Sequence, residues 1–206
     1  MSAKICEPGI ARILSAGGVM SRMIGEPEGT VTSSFATGTA GEGHVAERGG
    51  NVLGRRCNIP KVLMTPSGTA ALEMAAQLCN LKPGDEVIMP SFTFVSTANA
   101  VVQQGAKPVF VDIRRDTLNI DESRVADLVT PRTKAIIAVH YAGIGCEMDA
   151  LVDLARVRGL ALIEYNSHGL FGRYRGRSPG PFGPLAAISL LATMNITVGV
   201  GVAPLG

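Results

Sequence analysis

The sequence contains no tryptophan and few charged side chains, since Asp, Glu, Lys and Arg together make up only 17% of its 206 residues. Its formal net charge of +2 is too small to attract a nucleic-acid backbone, and it has no block of Lys and Arg that could grip one. We therefore expect no nucleic-acid partner. With 46% hydrophobic residues, the composition is that of a globular, rather apolar chain.

Cysteine is also scarce, and its four occurrences are widely scattered, at Cys6, Cys57, Cys79 and Cys146. They show neither the short paired spacings of a zinc site nor the density of a disulfide scaffold, so we expect free thiols and no metal centre. No apolar run is long enough to span a bilayer, and the first 20 residues lack the pattern of a secretory signal. These absences predict a soluble, cytoplasmic protein without a membrane partner.

Residues 1–60 carry little regular pattern, because they are rich in Gly, Ser and Thr. A short helix is predicted within Ile10 to Met23, where Gly17-Gly18 argues against a long one. The stretch from Thr30 to Gly54 is predicted to be loop. We place a boundary near residue 60, between a loop-rich N-terminal segment (1–60) and a domain (61–206).

From residue 61 onward, predicted strands alternate with predicted helices. The strands are expected at 61–64, 86–89, 108–112, 135–140, 160–164, 185–190 and 198–202, and the helices at about 70–78, 93–104, 121–129 and 148–158. This alternation predicts right-handed crossovers and an α/β fold, with a mostly parallel sheet and helices on both faces. Ligands are then expected at the carboxyl ends of the strands.

A further short strand is predicted at 171–177, where three arginines alternate on one face. Such arginines are compatible with a solvated edge strand or with an anion-binding role.

A turn of small residues, Ser67-Gly68-Thr69, joins the first of the regular strands to its helix. The first N–H groups of a helix have no internal partners and lie at the positive end of its dipole, so such a turn can hold a phosphate. The alternative is an ordinary helix cap without a ligand.

Four runs carry a resemblance to a known family: TPSGTAALEMA, PGDEVIMPSFTFVSTANAVVQQGAKPVFVDI, DTLNID and VHYAGIGCEMD. They resemble fold-type I, pyridoxal-phosphate-dependent sugar-nucleotide aminotransferases of the DegT type. Within that family they look most like the transaminases that form dTDP-4-amino-4,6-dideoxygalactose from a 4-keto-6-deoxy sugar nucleotide. The resemblance covers about Lys61 to Leu205 and is densest up to Glu164. It implies the large domain of that fold, with the smaller C-terminal domain absent, and a role in polysaccharide biosynthesis.

The resemblance also implies a cofactor, pyridoxal phosphate, and the residues that hold it. Gly68, Thr69 and Ser189 correspond to the phosphate cup, Phe94 to the aromatic plate against the ring, and His168 to the residue near the ring hydroxyl. From the residues alone, Phe94 is equally compatible with a place in the core. His168 is equally compatible with an ordinary, satisfied polar side chain.

Two positions depart from the family pattern. Tyr165 stands where the family has the aspartate that keeps the ring nitrogen protonated, and the adjacent Glu164 should point to the opposite face of its strand. Met194 stands where the family has its Schiff-base lysine, and a thioether cannot form an imine. No lysine follows Lys134. We therefore expect noncovalent cofactor binding at best and no catalytic residue for ordinary transamination.

Three hypotheses follow from this combination. The chain is a degenerate or truncated family member that retains ligand binding, a noncatalytic partner of an intact transaminase subunit, or a fragment without function. Because two subunits complete each other's site in the family, the resemblance implies a homodimer or pairing with an intact homologue. It also implies a nucleotide sugar as ligand.

Overall fold

The computed structural model describes residues 12–15, 51, 55, 62–65, 67–168, 174–175 and 182–189. In these ranges lie seven strands: β1 (Arg12–Ser15), β2 (Val62–Thr65), β3 (Glu86–Pro90), β4 (Lys107–Val111), β5 (Thr133–Val139), β6 (Ala161–Asn166) and β7 (Leu185–Ser189). They form one sheet in the order β2-β1-β7-β6-β5-β3-β4, and every neighbouring pair is parallel. The predicted α/β fold with a mostly parallel sheet is therefore confirmed.

The described residues also give the bounds of four α-helices: α1 (Gly68–Leu78), α2 (Val95–Val102), α3 (Glu122–Val125) and α4 (Met148–Arg158). Helix α4 has the predicted bounds and ends at Gly159, whose φ of 66° is a left-handed conformation that glycine adopts without strain. Helix α2 is shorter than the predicted 93–104. Within the described ranges, no helix is long and apolar enough to cross a bilayer.

The sheet buries apolar side chains on both faces, as its continuous apolar strands predict. One face packs against α1 and α2 and forms a core that includes Ala71, Leu72, Met89, Val101 and Ile137. The other face packs against α3 and α4 and forms a core that includes Ile88, Val125, Ile136, Met148 and Leu151. Consecutive strand residues such as Ile136 and Ile137 therefore lie in the cores on opposite faces of the sheet.

The prediction of a helix within Ile10 to Met23 is wrong at Arg12–Ser15, because these residues form β1. Strand β1 lies between β2 and β7 and pairs with both. A strand in this place gains backbone hydrogen bonds on two sides, and partners that lie about 50 and 175 residues further along the chain leave no local pattern. The division of the chain at residue 60 stays a prediction.

Two further predicted strands, 171–177 and 198–202, lie outside the described residues except for Tyr174 and Arg175. Arg175 is exposed, and its guanidinium forms ion pairs with Asp149 and Glu147. These partners favour a solvated position over an anion-binding role for this arginine.

Candidate functional site

A cavity of about 530 Å³ opens where four of the parallel strands end. Its walls come from the segments that follow β2 and β3 and from the carboxyl ends of β5 and β6. The described residues that line it are Ser67, Gly68, Thr69, Phe92, Thr93, Phe94, Ser96, Val139, His140, Tyr141, Tyr165, Ser167 and His168. This is the edge of a parallel sheet at which ligands are expected.

The first turn of α1 forms one wall of the cavity. Ser67 caps the helix, since its Oγ accepts a hydrogen bond from the backbone N–H of Ala70 (3.1 Å). The Thr65 hydroxyl donates to the Ser67 carbonyl (3.0 Å) and holds the turn at the end of β2. Gly68 is buried and Thr69 is exposed, and both line the cavity. The structure shows the helix cap at this turn, and the cavity beside it has room for a ligand. A phosphate at the turn stays a prediction.

Phe94 lies on the cavity with 67% of its surface exposed, so its placement in the core is excluded. It immediately precedes α2, and its carbonyl accepts a hydrogen bond from the N–H of Thr97 (3.0 Å). Phe92 and Tyr141 also line the cavity, and the centroids of their rings are 4.9 Å apart. Sequence reasoning missed these two residues, whose only signal is their position after β3 and β5.

His168 lies at the cavity two residues after the end of β6. Its Nδ1 accepts a hydrogen bond from the N–H of Ala142 (3.3 Å), and its ring meets the Tyr141 ring edge-on at 5.8 Å. Accepting at Nδ1 places the hydrogen of the neutral imidazole on Nε2. That N–H is the group His168 can offer to a ligand.

Tyr165 and Glu164 point in opposite directions from β6. Tyr165 lines the cavity and is 7% exposed, whereas Glu164 is fully buried and does not line it. The prediction that Glu164 faces away from the Tyr165 side therefore agrees with the structure. The position that the family resemblance gives to an aspartate carries a phenol beside the cavity.

Glu164 instead holds together three segments behind the cavity. Its Oε1 accepts hydrogen bonds from the N–H groups of Phe182 (2.9 Å) and Gly183 (2.6 Å), and its Oε2 lies 3.2 Å from Nε2 of His140. His140 Nδ1 accepts from the N–H of Cys146 (3.1 Å), so Nε2 carries the ring hydrogen and donates it to Glu164. Burial, as the largest cause, raises the pKa of the Cys146 thiol far above its ordinary value.

Two serines on the cavity wall were not predicted as site residues. Ser96 lies in the first turn of α2 and Ser167 directly follows β6. Their Oγ atoms are buried and have no hydrogen-bond partner within the described part of the chain. Sequence gives no signal for this, since it arises only from how α2 and β6 are placed.

The remaining predicted positions are at the end of the chain. Ser189 is the last residue of β7, and β7 pairs with the β6 residues from Ile163 to Asn166. The Ser189 side chain and Met194 lie outside the described residues, so their roles stay predictions. The structure thus brings Gly68, Thr69, Phe94, Tyr165 and His168 to one cavity.

Comparison with known proteins agrees with this architecture. Residues 26–203 match the model of the DegT/DnrJ/EryC1/StrS aminotransferase family. The chain is 39% identical over 145 residues to the GDP-perosamine synthase of Caulobacter vibrioides, which covers 70% of this chain and 39% of that protein. It is 41% identical over 141 residues to the dTDP-4-dehydro-2,3,6-trideoxy-D-glucose 4-aminotransferase of Saccharopolyspora spinosa, which covers 68% of this chain and 37% of that protein.

Among solved structures, the chain is similar to Helicobacter pylori PseC, an aminotransferase involved in the biosynthesis of pseudoaminic acid. The TM-score is 0.73 at 27% identity, over 82% of this chain and 46% of that one. The chain thus spans less than half the length of these relatives. Since the family model matches most of its residues, the chain belongs to the DegT/DnrJ/EryC1/StrS aminotransferase family.

Proposed function

We propose that this chain is a sugar-nucleotide aminotransferase-family protein that binds pyridoxal phosphate without a covalent bond and has lost ordinary amino-transfer chemistry. The observation that carries the proposal is the cavity itself, at which the first turn of α1 and the exposed Phe94 ring meet. An anion at a helix start and an aromatic plate are two of the contacts that this cofactor needs.

The described residues fit part of the cofactor and not all of it. Gly68 and Thr69 would hold the phosphate, and Phe94 would stack against the ring. Tyr165 does not fit the role of a carboxylate at the ring nitrogen, because a neutral phenol cannot stabilise a positive charge comparably. When bound in the family's usual way, pyridoxal phosphate withdraws electrons from a carbanion, which depends on that protonated nitrogen. No amino-transfer step follows from the residues present.

Position 194 supports the same proposal. Amino transfer by the family route requires a lysine that bonds the cofactor, and the resemblance places Met194 at that position. The lysines of this sequence end at Lys134, on β5. A methionine offers neither an amine nor a proton to move.

The test is equilibrium dialysis of the whole chain with pyridoxal phosphate, followed by borohydride reduction and mass mapping. We expect saturable binding and no covalent adduct on any lysine. Thr69→Glu should abolish binding, because it puts a carboxylate where the phosphate would lie, while an acidic residue in the first helical turn does not harm the helix. Thr69→Gln is the matched uncharged control and should weaken binding less than Thr69→Glu does. Absence of binding by the wild type, or a borohydride-stable adduct, would refute the proposal.

The sugar ligand that we propose is a 4-keto-6-deoxyhexose linked to dTDP, as in the transaminases that form dTDP-4-amino-4,6-dideoxygalactose. Its support is the resemblance of the four sequence runs. One relative is named for a GDP sugar and another for a dTDP sugar, so the identity of the nucleotide base needs a test. Competition dialysis decides it: dTDP should displace a dTDP-sugar probe and GDP should not. A cytoplasmic location, proposed from the scattered cysteines, is compatible with such a ligand.

A second candidate function is pairing with an intact transaminase subunit, favoured by exposed apolar side chains at the cavity and directly after it in the chain. Phe92 and Phe94, which line the cavity, are 43% and 67% exposed, and Val95 is 62% exposed. In co-expression with a tagged, full-length transaminase of the family, we expect co-purification that Val95→Glu weakens. Val157→Glu, at a 74% exposed position on α4, is the control and should have no effect. Lack of co-purification would count against this candidate.

A further inference from the structure

Two serine hydroxyls near the cavity are buried and have no hydrogen-bond partner among the described residues. Ser96 and Ser167 are 4% and 6% exposed, and both residues line the cavity. Each Oγ atom is shielded from solvent although the cavity is open, so these hydroxyls are not presented to a ligand. The hydrogen bonds that the wall offers must come from other lining residues.

The same wall offers no charged partner to a cationic ligand. None of the described lining residues is Asp, Glu, Lys or Arg. His140 is already engaged at both ring nitrogens, by Cys146 and by Glu164. Tyr165, 7% exposed, lines the cavity and carries a phenol hydroxyl. The hydrogen-bonding surface that these residues present is therefore uncharged.

We propose that the cavity selects the uncharged form of a heteroaromatic ring, with the Tyr165 hydroxyl donating to an unprotonated ring nitrogen. The inference rests on the proposed binding of pyridoxal phosphate and names the ring form that is bound.

The physical reason is the cost of a buried charge. A pyridinium ring taken from water into a wall without a carboxylate loses hydration that no opposite charge replaces. An unprotonated ring nitrogen is an acceptor, and a phenol O–H satisfies it at no such cost. A carboxylate at position 165 would reverse this preference, because it favours the protonated ring.

The test compares two probes, pyridoxal 5′-phosphate and its N-methylpyridinium analogue, whose ring is permanently cationic and cannot accept a hydrogen bond. By equilibrium dialysis with the whole chain, we expect the wild type to bind pyridoxal phosphate at least about tenfold more tightly than the analogue. Tyr165→Phe should weaken binding of pyridoxal phosphate by about two- to tenfold and leave binding of the analogue unchanged. Tyr165→Asp should bind the analogue more tightly than the wild type does.

The outcomes separate this inference from the function on which it rests. Equal affinities of the wild type for the two probes, or the same affinity ratio in Tyr165→Phe as in the wild type, would overturn the inference alone. If the wild type binds neither probe, both the inference and the proposed function fail. A direct check is the ¹⁵N chemical shift of bound, ring-labelled pyridoxal phosphate, which should be that of a free base in the wild type and of a pyridinium in Tyr165→Asp.

Discussion

Removing the Glu164 carboxylate should destabilise the protein and loosen the wall of the cavity. Glu164 is fully buried and accepts hydrogen bonds from two backbone N–H groups and from the His140 ring. One of those N–H groups belongs to Gly183, which approaches so closely that a Cβ there would lie 2.8 Å from the Leu162 carbonyl oxygen. The contact therefore links β6, the segment before β7 and the end of β5.

The size of the effect follows from what each variant leaves behind. Glu164→Ala leaves three donors, two of them buried, without this acceptor, and each such loss costs about 1 to 3 kcal/mol. Glu164→Gln keeps the oxygen that faces Phe182 and Gly183 but turns an amide N–H toward the N–H of His140. The loss of one hydrogen bond and the unsatisfied donor cost about 1 to 3 kcal/mol. Against a typical domain stability of about 5 to 15 kcal/mol, both effects are measurable.

The assay is urea unfolding followed by far-ultraviolet circular dichroism. Asp153→Asn is the control, because Asp153 and its partner Arg156 are 68% and 75% exposed and such a surface pair contributes about 1 kcal/mol or less. Gly183→Ala should act on the same contact as Glu164→Ala, so their costs should add up to more than the double variant loses. If Glu164→Gln unfolded within about 0.5 kcal/mol of the wild type, the three-donor account would be refuted.

Three further predictions concern groups outside that contact. Glu86 is buried, and hydrogen bonds from the Thr130 hydroxyl and a neighbouring guanidinium hold its pKa below the ordinary 4.5. Its contribution to stability is therefore present above pH 4.5 and lost as the pH falls through the lowered value, so Glu86→Gln should be less stable than the wild type at pH 7 and the gap should close in acid urea titrations. Cys146 is buried with a raised pKa, and Cys79 is only partly buried. Iodoacetamide mapping should therefore label Cys79 before Cys146, and equal rates at these two cysteines would contradict this assignment. Ser67→Ala removes the cap of α1 and should cost about 0.5 to 2 kcal/mol, which Ser67→Asp should restore; no loss in either would show that the cap is dispensable.

The family and the alternation of strands and helices could be predicted from the sequence, because both depend on local sequence patterns. Helix α4 ends at Gly159 as expected, and the apolar strand β6 is covered on both faces. Boundaries were less certain, since α2 begins at Val95 and not at Thr93. The helix start at Ser67-Gly68-Thr69 was also visible, because a cap is a local contact.

Other features depend on residues that are far apart in the chain. Strand β1 replaced a predicted helix because its two partners are β2 and β7. The partners of Glu164 lie 18 to 24 positions away, and no spacing rule connects them. The exposure of Phe94, which excluded the core alternative, is a property of the assembled surface.

The sequence by itself determined the fold class, the family and the residue types at positions 165 and 194, because local periodicity and motif identity need no third dimension. Only the tertiary structure decided that Tyr165, Ser96 and Ser167 lie on one cavity with the first turn of α1. The physical reason is that all the residues around an atom decide whether it is buried and whether it has a hydrogen-bond partner. Three segments that are remote in sequence form this wall, so no single segment predicts it.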